Sequence, residues 1–510
     1  MNPRRAFARK ITYLVFIALL LVPLYWLGQP ASADRPGAAG SPGGLLARFR
    51  AEHGLAQTHL GEIDPTSETI KLATVGLRGM ATNILWSRAH HHKRERDWTS
   101  LAATINQLVR LQPHFTRVWE FNGWEMAYNV SAEFDDYRDR YRWVIRGIEF
   151  TQEGIPYNQR ESRLVTETGR MIGHKIARSD ERRQFRRLFV ADDDFHGPRP
   201  MAERDNWLVS KSWHEEAVRM VDLQGADIRG HTPHIFYSFP AMAQMNYASD
   251  LMGDGVFGQT AQRAWRQAGA DWEEYGQRDV PTTYEFTIRL ADREGHLANV
   301  ERIMDEIDAL DPGVRQRVME RREAMLTDEE REALATPLNE RTGREFELAL
   351  LAEQRLRVRP RDLAEAVQGP NRARAFELAR EADEEQNMAD VIDIYRTTVN
   401  YEYWRTRAVA EQDTETLAAR QAIFEGDRLF QDEGDLTGAR EAYEEGLVHW
   451  RVVLDRYPQF LSEDERETHE ALYRMVRRYE HLLHQMDEEL PEPFILQDVL
   501  DNPPPTMEGV

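Results

Sequence analysis

Residues 85–113 read LWSRAHHHKRERDWTSLAATINQLVRLQP, and residues 114–148 read HFTRVWEFNGWEMAYNVSAEFDDYRDRYRWVIRGI. In the first segment, Leu85 and Ala89 lie one helical turn apart, before a polar turn at 96–98. Apolar residues then recur at helical spacing, and Pro113 closes the segment. These recurring residues are Leu101, Ile105 and Leu108. The spacing predicts two antiparallel helices joined by a short turn.

The second segment repeats this organisation. It opens with Trp119, Asn122 and Gly123, and Gly123 suits a helix crossing at which a Cβ atom would hold two backbones apart. Its second half carries an apolar stripe along one face of a helix. The stripe consists of Tyr137, Tyr141, Val144, Ile145 and Ile148. A second helix–turn–helix pair is therefore predicted.

The motif Trp119-x2-Asn122-Gly123 resembles, in two of its residues, the W-x2-L-G opening of the tetratricopeptide (TPR) family. A TPR unit is a helix–turn–helix of about 34 residues. Weaker copies of the spacing begin near Gly295 and Gly434. The resemblance implies an all-α, TPR-like solenoid that acts as an interaction scaffold. A helical bundle whose turns coincide with this spacing is the alternative.

The composition excludes several classes of site. The net charge of −22 argues against binding to nucleic-acid backbones, which requires clustered lysine and arginine. The chain has no cysteine, so disulfides, thiolate metal sites, iron–sulfur clusters and a cysteine nucleophile are excluded. The sequence gives no catalytic signature, and we expect neither a cofactor nor a nucleic-acid partner.

The N-terminus predicts export. A basic segment at 1–10 precedes an uncharged run at 11–33, whose apolar part reaches the lower limit of length for a transmembrane helix. The basic residues favour a cytoplasmic N-terminus with the bulk of the chain in the periplasm. An Ala31-Ser32-Ala33 pattern instead allows cleavage near Ala33 and secretion. This layout is similar to that of exported, membrane-anchored bacterial TPR-like proteins of unestablished activity.

Composition divides the rest of the chain into five segments. They are a flexible tether and lead-in (34–69), TPR-like repeats (70–190), a loop-rich insertion (191–281), a second helical repeat region (282–490) and a Pro-rich tail (491–510). The tail is predicted to be disordered. Within the insertion we expect two helices, around 207–220 and 260–275, and a short strand at 235–237.

The insertion also carries weak candidates for chemistry. Asp193, Asp194 and His196 offer carboxylates and an imidazole to a metal such as Mg²⁺ or Ca²⁺, although a helix-capping loop explains the same residues. His231 and His234 flank a Thr-Pro turn, and either could join them. Residues 253–258 match G-x-G-x-x-G, but a helix end followed by a glycine loop suits them better than a nucleotide site.

The remaining candidate is a surface. In TPR proteins the first helix of each pair lines the groove that receives partner segments. The resemblance therefore implies a set of groove positions. They are Asn83, Trp86, His90, Lys93, Arg117, Glu120 and Trp124. Aromatic and arginine anchors dominate many protein interfaces. Coverage by the tether or the insertion would instead make the tryptophans core residues. An adaptor for cell-envelope proteins is the first functional hypothesis, and an enzyme or metal-dependent module within 191–281 is the alternative.

Overall fold

A computed structural model describes residues 78–284, 286–337, 341–461 and 466–504, together with positions 16, 19, 44, 45 and 48. The chain divides into two compact units, residues 1–232 (the N-terminal unit) and residues 233–510 (the C-terminal unit). Both units are built almost wholly from α-helices, which confirms the predicted all-α class.

The described part of the N-terminal unit contains eight α-helices. They are α1 (Arg78–Arg94), α2 (Trp98–Leu111), α3 (Thr116–Trp124), α4 (Tyr137–Glu153), α5 (Arg163–Arg170), α6 (Arg182–Val190), α7 (Asp193–His196) and α8 (Asn206–Gln224). A π-helical turn, Glu125–Val130, extends α3, and another, Met171–Lys175, extends α5. Helices α1 and α2 pack together, as do α3 and α4, so both predicted helix–turn–helix pairs are present.

Local hydrogen bonds fix the start of α2 and the junction between the two pairs. The side chain of Asp97 accepts a hydrogen bond from the backbone N–H of Ser100 (3.0 Å) and so caps α2. The carbonyl oxygen of Pro113 accepts hydrogen bonds from Nε1 of Trp119 (2.8 Å) and Nδ2 of Asn158 (3.0 Å). The closing proline of the first pair is thereby tied to the second.

Helices α3 and α4 cross at two glycines. A Cβ atom added to Gly123 would lie 2.0 Å from Oγ1 of Thr151 and 2.8 Å from the carbonyl oxygen of Gly147. One added to Gly147 would lie 2.5 Å from the carbonyl oxygen of Gly123. Side chains do not tolerate such approaches to backbone atoms, so the crossing requires glycine at both positions, as the sequence indicated for Gly123.

The C-terminal unit contains thirteen described α-helices. They are α9 (Pro233–Gly253), α10 (Gln259–Gly276), α11 (Arg293–Leu310), α12 (Val314–Glu323), α13 (Asp328–Ala335), α14 (Gly343–Leu356), α15 (Pro360–Ala366), α16 (Arg372–Thr398), α17 (Tyr401–Ala410), α18 (Thr414–Arg428), α19 (Leu436–Arg456), α20 (Arg466–Gln485) and α21 (Gln497–Asp501). A two-residue hairpin pairs β1 (Val280–Pro281) with β2 (Thr287–Ile288) in antiparallel register. Large aromatic residues, Trp265, Trp272 and Tyr443 among them, fill the core.

The segment 191–281 is far more helical than predicted. Helices α8 and α10 cover the two expected helices, but the expected strand at 235–237 lies within α9, which continues through Pro240. Every residue of α9 before Gly253 is buried or half-buried, so its sequence lacks the 3.6-residue alternation that marks a surface helix. The boundary between the two compact units also falls inside this segment. The glycines at 253–258 do form the expected helix end and loop.

The prediction of disorder is wrong for the first part of the tail. Phe494, Leu496 and Val499 are buried in the core formed with α19 and α20. Arg451 donates hydrogen bonds to both carboxylate oxygens of Asp498, each at 2.9 Å. Three apolar side chains among the prolines are enough to dock this segment, and a count of prolines does not register them.

Apart from Phe16 and Leu19, the predicted anchor (11–33) lies outside the described residues, as does most of the tether. Among the helices that are described, none combines the length and the low polarity that a bilayer crossing requires.

Candidate functional site

Six of the seven predicted groove residues line two adjoining depressions on the N-terminal unit. The larger depression, about 360 Å³, is lined by Trp86, Phe115, Arg117, Glu120, Phe121, Trp124, Glu167 and Arg170. The smaller one, about 20 Å³, includes His90 and Lys93 and shares Trp86 and Phe121 with the larger. We call the two depressions together the aromatic groove. Asn83 is exposed on α1 but lines neither depression.

Helix periodicity explains why α3 faces the groove in this way. Thr116, Val118, Trp119, Asn122 and Gly123 are buried against the rest of the unit. The opposite face carries the residues at i, i+3, i+4 and i+7, which lie one above another along a helix. These are Arg117, Glu120, Phe121 and Trp124.

Helix α1 supplies the facing wall. Trp86, His90 and Lys93 recur at i, i+4 and i+7, so they share one face of α1. The rings of Trp86 and Phe121 meet edge to face, with their centroids 5.7 Å apart. The imidazole of His90 stacks with the indole of Trp86, with their centroids 6.0 Å apart. The Trp86–Phe121 contact therefore forms the ridge between the two depressions.

The groove retains exposed aromatic surface. Phe115, Phe121 and Trp124 keep 44%, 40% and 36% of their surface accessible in the described part of the chain. The indole of Trp124 stacks on the ring of Tyr128, with their centroids 5.6 Å apart and their planes at 18°. One face of the indole is therefore held by the protein. Large aromatic side chains left exposed together are typical of surfaces that bind partners.

Three ion pairs border the aromatic residues. The guanidinium of Arg163 donates two hydrogen bonds to the carboxylate of Glu120, each at 2.6 Å, and these bonds raise the pKa of Arg163. Glu167 accepts a hydrogen bond from Nε of Arg170 at 2.8 Å. The buried carboxylate of Glu125 is paired with Lys93 beneath the smaller depression. In each pair one acidic and one basic group compensate each other.

Arg117 differs from these basic residues. It is exposed on the α3 face, and the structure shows no ion pair or hydrogen bond from its side chain to the residues that it describes. Since the neighbouring acids are paired with Arg163 and Arg170, the uncompensated charge of the groove is the cation of Arg117. A protein of net charge −22 thus presents a local positive charge beside exposed aromatic rings.

The predicted metal candidates have other contacts. Asp193 pairs with Arg204 at 2.6 Å, and Nε2 of the buried His196 lies 2.7 Å from the carbonyl oxygen of Phe189. Asp192 accepts a hydrogen bond from the backbone N–H of Phe195 and caps α7. Asp194 is exposed. Within the described ranges no three His, Asp or Glu side chains come together as a metal site.

The two histidines of the Thr-Pro turn belong to different compact units. His231 lies near Glu167 and Arg163, and burial lowers its pKa against the attraction of Glu167. His234 is fully buried, and burial lowers its pKa to about 4. Burial of this kind keeps an imidazole neutral.

Sequence reasoning missed four lining residues of the larger depression. Phe121 follows Arg117 by four residues and precedes Trp124 by three, so the helix period alone could have placed it on the same face. Phe115 lies just before α3. Glu167 and Arg170 come from α5, and no local pattern relates them to α3.

Comparisons of the chain with protein-family models, with curated proteins and with solved structures found no match.

Proposed function

We propose that this chain is a membrane-anchored, extracytoplasmic scaffold whose aromatic groove binds a segment of a protein partner in the cell envelope. The address rests on the basic segment and apolar run of residues 1–33. The helical pairs α1–α2 and α3–α4, with their glycine crossing, support a TPR-like arrangement in which the first helix of each pair lines the groove. Since fold alone does not define function, the proposal depends on the groove.

The observation that carries it is the α3 face, on which exposed Phe121 and Trp124 adjoin the uncompensated charge of Arg117. Burial of aromatic surface gives about 25 cal/mol per Å², and tryptophan and arginine are enriched among residues that dominate binding energy. The fitting partner is therefore a segment that places an apolar or aromatic side chain against Trp124 and a carboxylate near Arg117.

The metal-dependent alternative is not proposed. Asp193 and His196, which it would need, are engaged by Arg204 and by the backbone of Phe189.

The first test is capture of partners by the tagged full-length protein from gently solubilised native membranes, followed by mass spectrometry. The wild type is expected to retain a stoichiometric protein partner. Trp124→Ala should reduce the retained amount about tenfold or more, because truncation removes the central aromatic anchor. Phe346→Ala is the matched control, since Phe346 is an exposed aromatic residue of the C-terminal unit.

Circular dichroism of both variants separates binding from folding. Helix content equal to that of the wild type is expected for Trp124→Ala, because its side chain is partly exposed. A wild type that retains no partner, or an equal loss with Phe346→Ala, would contradict the proposal. Unfolding of Trp124→Ala would show that Trp124 is a core residue.

A second test reverses the charge beside the aromatic residues. Arg117→Glu should weaken capture of the same partner by about tenfold, and the effect should shrink as salt is added, because exposed charges are screened. Arg110→Glu is the control, since Arg110 is an exposed arginine on α2 outside the groove. Equal binding by Arg117→Glu and the wild type would show that the partner presents no acidic group to this position.

A further inference from the structure

A second cavity, separate from the aromatic groove, lies wholly within the C-terminal unit. It has a volume of about 260 Å³, is open to one side, and is lined by residues of α9, α17, α18, α19, α20 and the loop after α9. Three arginines, Arg407, Arg420 and Arg478, line it together with a single acidic residue, Asp427. Arginines that meet in one cavity of an acidic protein call for a physical explanation.

Arg407 is the most buried of the three. Its guanidinium donates one hydrogen bond to the hydroxyl of Tyr403 and one to the hydroxyl of Ser249, both at 3.1 Å. A guanidinium has five N–H donors. Its buried Nε makes no hydrogen bond with the described residues, and its closest recorded carboxylate oxygen, on Glu411, is 3.6 Å away. That distance is too long for a hydrogen bond.

Two carboxylates, those of Glu411 and Glu467, lie within ion-pair distance of Arg407 but make their hydrogen bonds to other groups. Glu411 is fully buried and accepts hydrogen bonds from Nε of Arg420 at 2.9 and 2.7 Å. Glu467 accepts a hydrogen bond from Tyr403 at 3.1 Å and lies 3.7 Å from Nη1 of Arg407. Burial of a charge is costly unless it is paired and hydrogen-bonded. The open donors of Arg407 therefore favour an additional anion in the cavity.

The other walls of the cavity are largely apolar. The rings of Phe257 and Phe424 meet edge to face at 5.6 Å, and Trp450 lies 5.1 Å from the guanidinium of Arg420. Ile423 and Met475 complete the apolar lining. Ligand pockets commonly measure about 300–1,000 Å³, and this cavity lies just below that range, so it suits only a small molecule. The cavity thus has apolar walls for one end of a ligand and a cation for the other end.

We propose that this cavity binds a small amphipathic carboxylate, with its carboxylate on Arg407 and its apolar body between Phe424 and Trp450. A planar guanidinium matches a carboxylate in geometry and donates two parallel hydrogen bonds to it. Such a ligand comes either from lipid, as a fatty acid, or from aromatic acids. The two sources share this chemistry and differ in the body of the molecule.

The test is isothermal titration of the full chain with octanoate and, in a second arm, with 3-phenylpropanoate. Binding of at least one of them is expected, and the preferred arm identifies the aliphatic or the aromatic source. Octanol, which lacks the carboxylate, and acetate, which lacks the apolar body, should bind at least tenfold more weakly. Failure of both carboxylates to bind, or octanol binding as tightly as octanoate, would overturn the proposal.

Two variants test whether the ligand binds in this cavity. Arg407→Lys keeps the charge but removes the fork of donors, and should weaken carboxylate binding about tenfold. Ala471→Trp tests the site independently of Arg407, because Ala471 lines the cavity and is itself exposed, so a larger side chain fills the space without entering the core. Ala373→Trp, at an exposed alanine of α16, is the control and should bind like the wild type. Full binding by Ala471→Trp would refute the location.

Discussion

At Gly123 there is no room for the methyl group that alanine would add. The atoms that block it are the carbonyl oxygen of Gly147 and the side chain of Thr151, both on α4. Backbone cannot rotate away as a flexible side chain does, so a larger residue would have to separate the two helices. The same conflict exists in reverse at Gly147.

Gly123→Ala should therefore destabilise the protein by about 1–3 kcal/mol, the usual cost of overpacking. Gly295→Ala is the control, because Gly295 also lies in a helix but has no atom within 4 Å of an added Cβ. That control should be neutral or more stable by up to about 1 kcal/mol, since alanine favours the helix. Urea unfolding followed by circular dichroism measures both, and equal stability of the two variants would show that α3 and α4 can separate freely.

His234 presents a different single-residue constraint, one of charge. It is fully buried, its ring lies 4.2 Å from the ring of Tyr395, and neither ring nitrogen has a hydrogen-bond partner among the described residues. Burial lowers its pKa from 6.5 to about 4. His234 is therefore harder to protonate in the folded chain than in the unfolded chain.

The protein should lose stability as the pH falls from about 6.5 to about 4, with His234 contributing up to about 3 kcal/mol. Above pH 6.5 this loss of stability is absent, because the imidazole is then neutral in both the folded and the unfolded states. His234→Phe should flatten this part of the stability curve, whereas His484→Phe, at an exposed histidine, should leave it unchanged. Urea unfolding at a series of pH values gives the curves, and the same slope for His234→Phe and the wild type would exclude His234 as the cause.

At the scale of the element, the helices that alternate buried and exposed residues were predictable and those that do not were missed. Helices α2 and α4 each carry a clear apolar face, and each begins directly after a polar residue. Helix α9 exposes only its last residue, and Pro240 in its sequence predicts a break. Helix α21 has only five residues between prolines. Long-range packing stabilises both, and local sequence does not record it.

Packing of the segment that leads into α21 gives a direct test. Phe494→Ala should cost about 3–5 kcal/mol, because Phe494 is buried in the core with Leu496 and Val499. Ile495→Ala is the matched control at the next position, where 40% of the side-chain surface is exposed, and it should cost much less. Thermal unfolding distinguishes the two. A small effect for Phe494→Ala would mean that the tail contributes little to the fold.

The aromatic groove was predictable to the same extent as its helices. Six of its residues are positions that the TPR resemblance implied, and they share one face of α1 or α3. Which of its charged residues are paired was not predictable from the sequence. Glu120 is neutralised by Arg163, which is 43 residues away, and Arg117 is left uncompensated only because of such tertiary pairs.

At the scale of the whole molecule, a chain of 510 residues is longer than one compact core usually accommodates. The chain has two compact units, and the boundary at Thr232 and Pro233 lies within a segment that composition assigned to a single insertion. Glycines and prolines mark breaks in a chain, but they do not show which helices share a core. Here α8 belongs to one unit and α9 to the next.

A fragment of residues 233–510 should fold on its own, because it contains complete hydrophobic clusters. We expect a helical circular-dichroism spectrum and one cooperative unfolding transition. A fragment that begins at residue 245 is the control, since it cuts α9 and removes His234, Phe236 and Ala241 from the core. Equally poor folding of both fragments would show that the boundary does not mark an independent domain.

The glycine crossing also has a consequence for recognition. Trp124 follows Gly123 directly in α3, and Tyr128 holds one face of its indole. If the groove binds a partner as proposed, the ring is already oriented, so little conformational entropy would be lost on binding. A surface organised in advance selects among ligands by shape, because it does not remodel itself around an ill-fitting one.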